Sequence, residues 1–347
     1  MGDLINVLMT GAGSPGGPGI IKAISKNNEV ALHVADMNSN AAGRYLTKYF
    51  HLIPGADSDD FIVHILNICE QLNIDVLFPL VTKELFKLSQ HKKDFELIGT
   101  KIIVSEFDDL SIANNKCLLY KHLKKINIKI PDFSIAHDVE GINNAAVELG
   151  YPSVPVVMKP CLGNGSRGIR ILDSNKNKFE LLFNEKPNSL YSNMNDVLTS
   201  IGDNQIPSLV ISEYLPGVEL TIDTIVQNGI LSTLLIRTRD SMHNGVSIAG
   251  RFIKNKKVEK YICAIVKSLP GLSGPIGFQV KQDKNGDYKL LESNPRIQGT
   301  SVAALGIGVN LPLIAVFNAA GKAYIDRSTM KNNIGFIRYY QEAFYEY

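Results

Sequence analysis

Tryptophan is absent from the 347 residues, and cysteine occurs four times, at Cys69, Cys117, Cys161 and Cys263. The cysteines are widely spaced and form no CxxC, which excludes a dense disulfide framework. A reducing cytosol, with Cys161 as a packing residue, is the simpler expectation. No run approaches the roughly 18 apolar residues of a membrane span. The N-terminus has no basic stretch leading into a long apolar one, so no signal peptide is expected and the location expected is cytoplasmic. An excess of one charge is missing as well. The 36 Lys and Arg against 34 Asp and Glu leave a formal +2, scattered along the chain, which gives no field for nucleic acid. The length allows two or three domains, each able to bury a core.

What is present first is an alternation of apolar strands and amphipathic helices. A strand at 5–9 runs into Gly11, Gly13 and Gly16, which fit GxGxxG ahead of a helix, and Asp36 closes the next strand where a dinucleotide fingerprint wants an acid. Pro15 and Pro18 remove two N–H groups that would face a pyrophosphate. An NAD-dependent oxidoreductase resting on this motif is the alternative reading of function. The alternation continues with a helix over 59–72, a strand over 76–78, a helix over 83–89 and a strand over 101–104. It predicts a parallel sheet covered on both faces. Glu84 follows a strand end, where such sheets bind ligands, and reads equally as a substrate-lining group or a solvated first-turn glutamate.

Further on, one helix is predicted from Asp108 through Leu123, carrying Asn115 and Lys116. A strand over 154–159 ends at Lys159, followed by a loop with Gly163, Gly165, Ser166 and Gly168. Glycine-rich N–H groups wrap phosphate oxygens and a preceding lysine adds a point charge. Residues 185–207 are polar and read as a long loop or weakly ordered insertion. A strand over 209–212 then enters Glu213, Tyr214, Leu215 and a Pro-Gly turn before Glu219. Such a turn exposes backbone groups able to read an adenine edge. Strands follow over 220–226 and 230–236. Arg237, Arg239 and Arg251 flank a polar stretch, 241–247, that contains His243. His243 as a base is weighed against an ordinary solvated histidine. Arg237 fits a phosphate or carboxylate contact better.

The most informative stretch is 277–301, GFQVKQDKNGDYKLLESNPRIQGTS. Asn285-Gly286 signals a two-residue hairpin turn. Counting outward places Val280 opposite Leu291 and Gln279 opposite Glu292. Gln279, Glu292 and Asn294 then share one face, with Phe278, Val280 and Leu291 on the core face. Two amide oxygens and a carboxylate suit Mg²⁺, which takes its remaining ligands from water and phosphate. Arg296 beside them can meet a phosphoryl or carboxylate group bidentately.

In this order and spacing the parts resemble the ATP-grasp superfamily, especially chains similar to the carbamoyl-phosphate synthetase large chain and carboxylate-amine ligases. The resemblance implies an α/β chain with a Rossmann-like pre-ATP-grasp domain over 1–108, an ATP-grasp domain over 109–335 and a mobile lid near 128–212. It implies ATP and Mg²⁺ as cofactors, with Mn²⁺ as a substitute. Lys116, Lys159, Gly163, Gly165, Ser166 and Gly168 would meet phosphates. Glu213, Tyr214 and Leu215 would meet adenine, and Glu219 the ribose. Gln279, Glu292 and Asn294 would hold the metal. Arg296, Lys159 and Arg237 would act on the reacting groups. The implied activity is a carboxylate-amine ligase working through an acyl phosphate and releasing ADP and phosphate. Its partners would be a small carboxylate and an amine, with no nucleic acid or membrane, and its assembly a homodimer.

Overall fold

The computed structural model describes residues 4–163, 165–185, 189–243, 245–324 and 331–346. Asn164 of the glycine loop and Asn244 of the polar stretch lie outside the described residues. Among the described residues the strands form three sheets.

The first sheet is parallel, in the spatial order Phe50–Leu52, Val30–Asp36, Ile5–Thr10, Val76–Pro79, Lys101–Ile102. Its strands are nearly continuous apolar runs because helices cover both faces. Val7 and Met9 pack with Ile20, Ile21 and the Leu311–Ala319 helix on one side. Leu8 and Leu77 pack with Phe61, Ile65, Leu85 and Leu88 on the other. No single described helix is long and apolar enough to cross a membrane. The apolar pair Ser301–Ile307 and Leu311–Ala319 instead buries Ala304, Leu313 and Val316 in the first sheet's core.

The glycine motif has a structural use at this sheet. Gly11 adopts φ +72°, and Asp36 accepts bonds from Gly13 N (2.7 Å) and Asn38 N (2.9 Å). Gly16 lies against Gly299, so that a Cβ at Gly16 would fall 2.5 Å from the Gly299 Cα. The close approach that glycine permits is filled by backbone from the far end of the chain. Backbone cannot swing aside as a side chain would, so Gly16→Val should lower stability by roughly 2–3 kcal/mol in denaturant unfolding. Gly55→Ala, whose Cβ would meet only Met37 at 3.5 Å, should be close to neutral.

The middle sheet runs Phe133–Ala136, Leu209–Glu213, Val156–Pro160, Arg170–Leu172, Tyr191–Ser192. The polar segment read as a loop contributes the last strand and the helix Met194–Ile201. There Met194 and Val197 bury one turn apart, and Asn193 caps the helix by accepting from Asp196 N at 2.8 Å. Leu198 and Ile201 join them against the same core, and this short apolar face does not stand out among the surrounding Asn and Ser.

The third sheet has seven strands. Ser241–His243, Val246–Ile253, Ile230–Thr238, Glu219–Gln227, Gly274–Gln282 and Tyr288–Asn294 lie in that order, and Gly335–Ile337 pairs with Val246–Ile253. Within the polar stretch, Ser241, Met242 and His243 pair with Ala249, Ser247 and Val246. The Lys256–Lys267 helix buries Val258, Ile262 and Ile265 on this sheet. The single helix expected from Asp108 is two, Phe107–Asn114 and Lys116–Lys125. Asn115 breaks it because its side chain accepts from Cys117 N (3.0 Å) and Leu118 N (3.2 Å), a cap that starts a new helix. Lys116 thereby stands in the first turn of the second helix.

Candidate functional site

The hairpin keeps Gln279 opposite Glu292, but by a different count from the one the turn signal implies. Gly286 N donates to Asp283 O (3.0 Å) and Asp283 N to Asp287 O (2.9 Å), with Gly286 at φ +80°. The loop is thus three residues long, and Val280 faces Leu290. A bulge before Gln279 then skips Leu291 and restores the Gln279 and Glu292 pairing. Leu290, not Leu291, buries with Phe278 and Val280 in the core. The bulge frees the Leu291 carbonyl, which accepts from Lys159 Nζ at 3.1 Å and from the Tyr120 hydroxyl at 3.0 Å.

Glu292, Lys116 and Lys159 converge. Lys116 Nζ lies 3.3 Å from Glu292 Oε2 and donates to Gly163 O at 3.0 Å. Lys159 Nζ donates to the Tyr120 hydroxyl at 2.8 Å and lies 4.9 Å from that ring's centroid. Burial, reinforced by the charge of Lys116, pulls the Lys159 amine down to about 7, against the opposing carboxylates of Glu292 and Glu219. Burial pushes the Glu292 carboxyl up, but Lys116, the Asn294 amide and Lys159 together outweigh it and hold the group below its ordinary value. These residues line a small cavity with Gly163, Ser166, Arg167 and Ile169. Gly165 and Gly168 take φ +63° and +73°, which opens the loop around it.

Asn294 Nδ2 donates to Glu292 Oε1 at 3.1 Å. The set Gln279, Glu292 and Asn294 brings oxygen donors and one formal charge. Among the described residues no group of three or more His, Cys, Asp or Glu is placed to hold a metal ion. Such a face fits a hard cation only when phosphate oxygens complete the shell, which matches the lysine-lined cavity next to it.

Arg296 leaves the same strand end and reaches the first domain, donating from Nε to Thr82 Oγ1 (2.9 Å) and from Nη1 to Ile297 O (2.8 Å). Two residues on, Glu84 is buried, accepting from Thr10 Oγ1 at 2.5 Å. Burial raises its carboxyl to about 8; the Thr10 bond offsets part of this and Asp36 adds to it. The solvated reading of Glu84 does not hold.

Other expected residues are engaged internally. Glu213 N donates to Asp132 O at 2.9 Å, and its carboxylate pairs with Lys289. Tyr214 is half-buried, with Lys281 Nζ 5.2 Å from its ring, and Leu215 is buried. Glu219 pairs with Arg239 at 2.9 Å. His243 and Arg251 are exposed, Arg251 bonding Asp240 at 2.9 Å. Arg237 was the stronger candidate for a substrate anion, yet its carboxylate partner is internal. It is 0% exposed, donates from Nε to Asp223 (2.7 Å) and from Nη2 to Thr300 Oγ1 (2.9 Å), and among the described residues Nη1 has no hydrogen-bond partner.

The cysteine expectation also needs correction. Cys117 and Cys161 form a disulfide, next to a bond from Lys116 N to Cys161 O at 2.8 Å. Their 44-residue separation hides that a helix start and a strand end meet. Sequence reasoning also missed Tyr120, although it stands one turn after Lys116 on the same helix face, and Thr82 and Thr10, whose hydroxyls carry no pattern of their own.

A family described as ATP-grasp in the biosynthetic pathway with Ter operon matches residues 205–341, which include the Glu292 hairpin and Arg296. The chain contains an ATP-grasp domain. A match to the PylC-like N-terminal domain, over residues 7–103, covers all of the first sheet but Ile5 and Asn6. The arginine-specific carbamoyl phosphate synthase large chain of Bacillus subtilis (strain 168) is 27% identical over 282 residues, covering 78% of this chain and 25% of that protein. The chain thus spans about a quarter of the length of this curated relative. Among solved structures, the ADP complex of PurK, an N5-carboxyaminoimidazole ribonucleotide synthetase, superposes with a TM-score of 0.71 at 12% identity, covering 97% of this chain and 83% of that one. An L-amino acid ligase from Bacillus licheniformis gives 0.65 at 16% identity, covering 92% and 75%. These superpositions span both matched regions, so the chain shares its overall fold with the two structures.

Proposed function

We propose that the chain is an ATP- and Mg²⁺-dependent carboxylate-amine ligase that activates an acid as its acyl phosphate and releases ADP and phosphate. The observation that carries this reading is the convergence of Lys116, Lys159, Gly163, Ser166, Arg167 and Glu292 on one cavity, with Arg296 four residues beyond Glu292. The lysines and loop N–H groups would take the phosphates, trading their present internal partners for phosphate oxygens. Gln279, Glu292 and Asn294 would hold Mg²⁺, which when bound would neutralise phosphate charge. Arg296 would stabilise the transferred phosphoryl group, and the middle sheet would act as a lid that keeps water from the acyl phosphate. The acceptor would enter between Arg296 and the strand ends of the first sheet, where Thr10, Thr82 and Glu84 stand. Support for the fold and nucleotide class comes from the structural neighbours, of which the PurK structure is an ADP complex.

The test is interception. With the correct acid, ATP and Mg²⁺, hydroxylamine should capture the acyl phosphate as a hydroxamate. Arg296→Ala should suppress that product at least tenfold more than it weakens ATP binding, because its contact is made chiefly in the transition state. Acid-dependent AMP and pyrophosphate would reject the route.

Lys159 adds a pH signature. An amine held near 7 is largely neutral at pH 8, and a bound triphosphate restores its charge. Binding of MgATP at pH 8 should therefore take up close to one proton, read as a dependence of calorimetric enthalpy on the ionisation heat of the buffer. The uptake should vanish at pH 6 and in Lys159→Met.

A further inference from the structure

The disulfide stands between two bodies of the fold. Cys117 belongs to the Lys116–Lys125 helix, whose Leu119 and Leu123 bury in the core of the third sheet. Cys161 follows the Val156–Pro160 strand of the middle sheet and begins the loop that reaches Gly163. The middle sheet otherwise joins the third-sheet body through two chain crossings, before Phe133 and after Glu213. Two crossings side by side allow a hinge rotation, and a third covalent tie away from them forbids it. Each cysteine also adjoins a lysine of the cavity, Cys117 next to Lys116 and Cys161 two residues after Lys159. In this state the lysines are satisfied by Gly163 O, Leu291 O and Tyr120, so a triphosphate needs the loop to part from Lys116 before it can enter.

We propose that Cys117 and Cys161 form a thiol-disulfide clamp on the lid, closed and nucleotide-excluding when oxidised and free to open when reduced. The assignment rests on the nucleotide site proposed above. Oxidation joins the two sulfurs and passes two electrons and two protons to a disulfide such as oxidised glutathione, which leaves as two thiols. Reduction runs by thiolate attack on one sulfur through a mixed disulfide. The pair is buried, Cys117 at 7% and Cys161 at 4% exposure, so exchange requires the same opening that the clamp restrains. The other two cysteines lie apart from it, Cys69 deep in the first domain, where burial pushes its thiol up to about 12, and Cys263 on the Lys256–Lys267 helix.

The full-length protein would be equilibrated with glutathione disulfide or with a phosphine reductant, and the Cys117–Cys161 link followed by non-reducing peptide mapping. Hydrogen exchange over 133–213 without nucleotide reports the hinge, and calorimetry reports MgATP. The oxidised form should exchange about tenfold more slowly around 156–172 and bind MgATP about tenfold more weakly, a coupling of ordinary size. Cys117→Ser and Cys161→Ser should each show the reduced behaviour whatever the oxidant. Identical exchange in both redox states, or failure of glutathione disulfide to form the link, would overturn the clamp. Exchange that responds to redox in a protein that binds no ATP when reduced would support the clamp's hinge and reject the nucleotide reading instead.

Discussion

Glu292→Gln is expected to reduce turnover by a factor of roughly 10²–10³ or more while leaving the fold intact. Glu292 is the only formal charge of the Gln279, Glu292 and Asn294 face, and it stands 3.3 Å from Lys116 Nζ. An amide of the same size keeps an oxygen for Asn294 Nδ2 but removes the charge that lets a cation and two lysines share a small space. Stability should fall little, because Lys159 already titrates near 7 and sheds its proton when the carboxylate goes. Hydroxamate formation at limiting Mg²⁺, alongside an unfolding midpoint, separates the two effects. Turnover within a few-fold of wild type would remove Glu292 from the metal site.

Asp223→Ala should be the most destabilising single change tested, by about 3–5 kcal/mol, since it strands a fully buried guanidinium. Asp223 accepts from Arg237 Nε (2.7 Å) and from Ser301 Oγ (2.6 Å), while Arg237 Nη1 already lacks a hydrogen-bond partner among the described residues. Little remains to hold the positive charge once the carboxylate is gone. The double variant Asp223→Ala with Arg237→Met should recover most of the loss, because an unpaired charge is worse than none. Urea unfolding of the single and double variants checks this. A single-variant loss below about 1 kcal/mol would show that the charge is neutralised by other groups.

The sequence carried the alternation of strands and helices well, because strands covered on both faces must be apolar throughout. It carried the metal face for a less secure reason. Counting from Asn285-Gly286 assumed a two-residue turn without a bulge, and the chain has a three-residue turn with one. Each departure shifts the register by one residue, and the shifts cancel at Gln279. A bulge leaves no mark in composition, so Leu291 and its outward carbonyl were invisible. The break at Asn115 was legible in principle, since asparagine caps helices, but the apolar periodicity runs through it. The Asp223 partner of Arg237 and the Cys117–Cys161 link join residues 14 and 44 apart, and only the folded chain brings them together.

The contact of Gly16 with Gly299 has a consequence for inheritance. One glycine belongs to the first sheet's loop, and the other to the segment just past Arg296, 283 residues later by their numbers. A recombination that exchanged the first hundred or so residues with those of a relative would bring together partners selected apart. A side chain tolerated at either position in its own lineage would wedge the loops open in the hybrid, drawing Thr82 away from Arg296. The two segments are therefore expected to tolerate exchange only as a matched pair, although neither alone records the dependence.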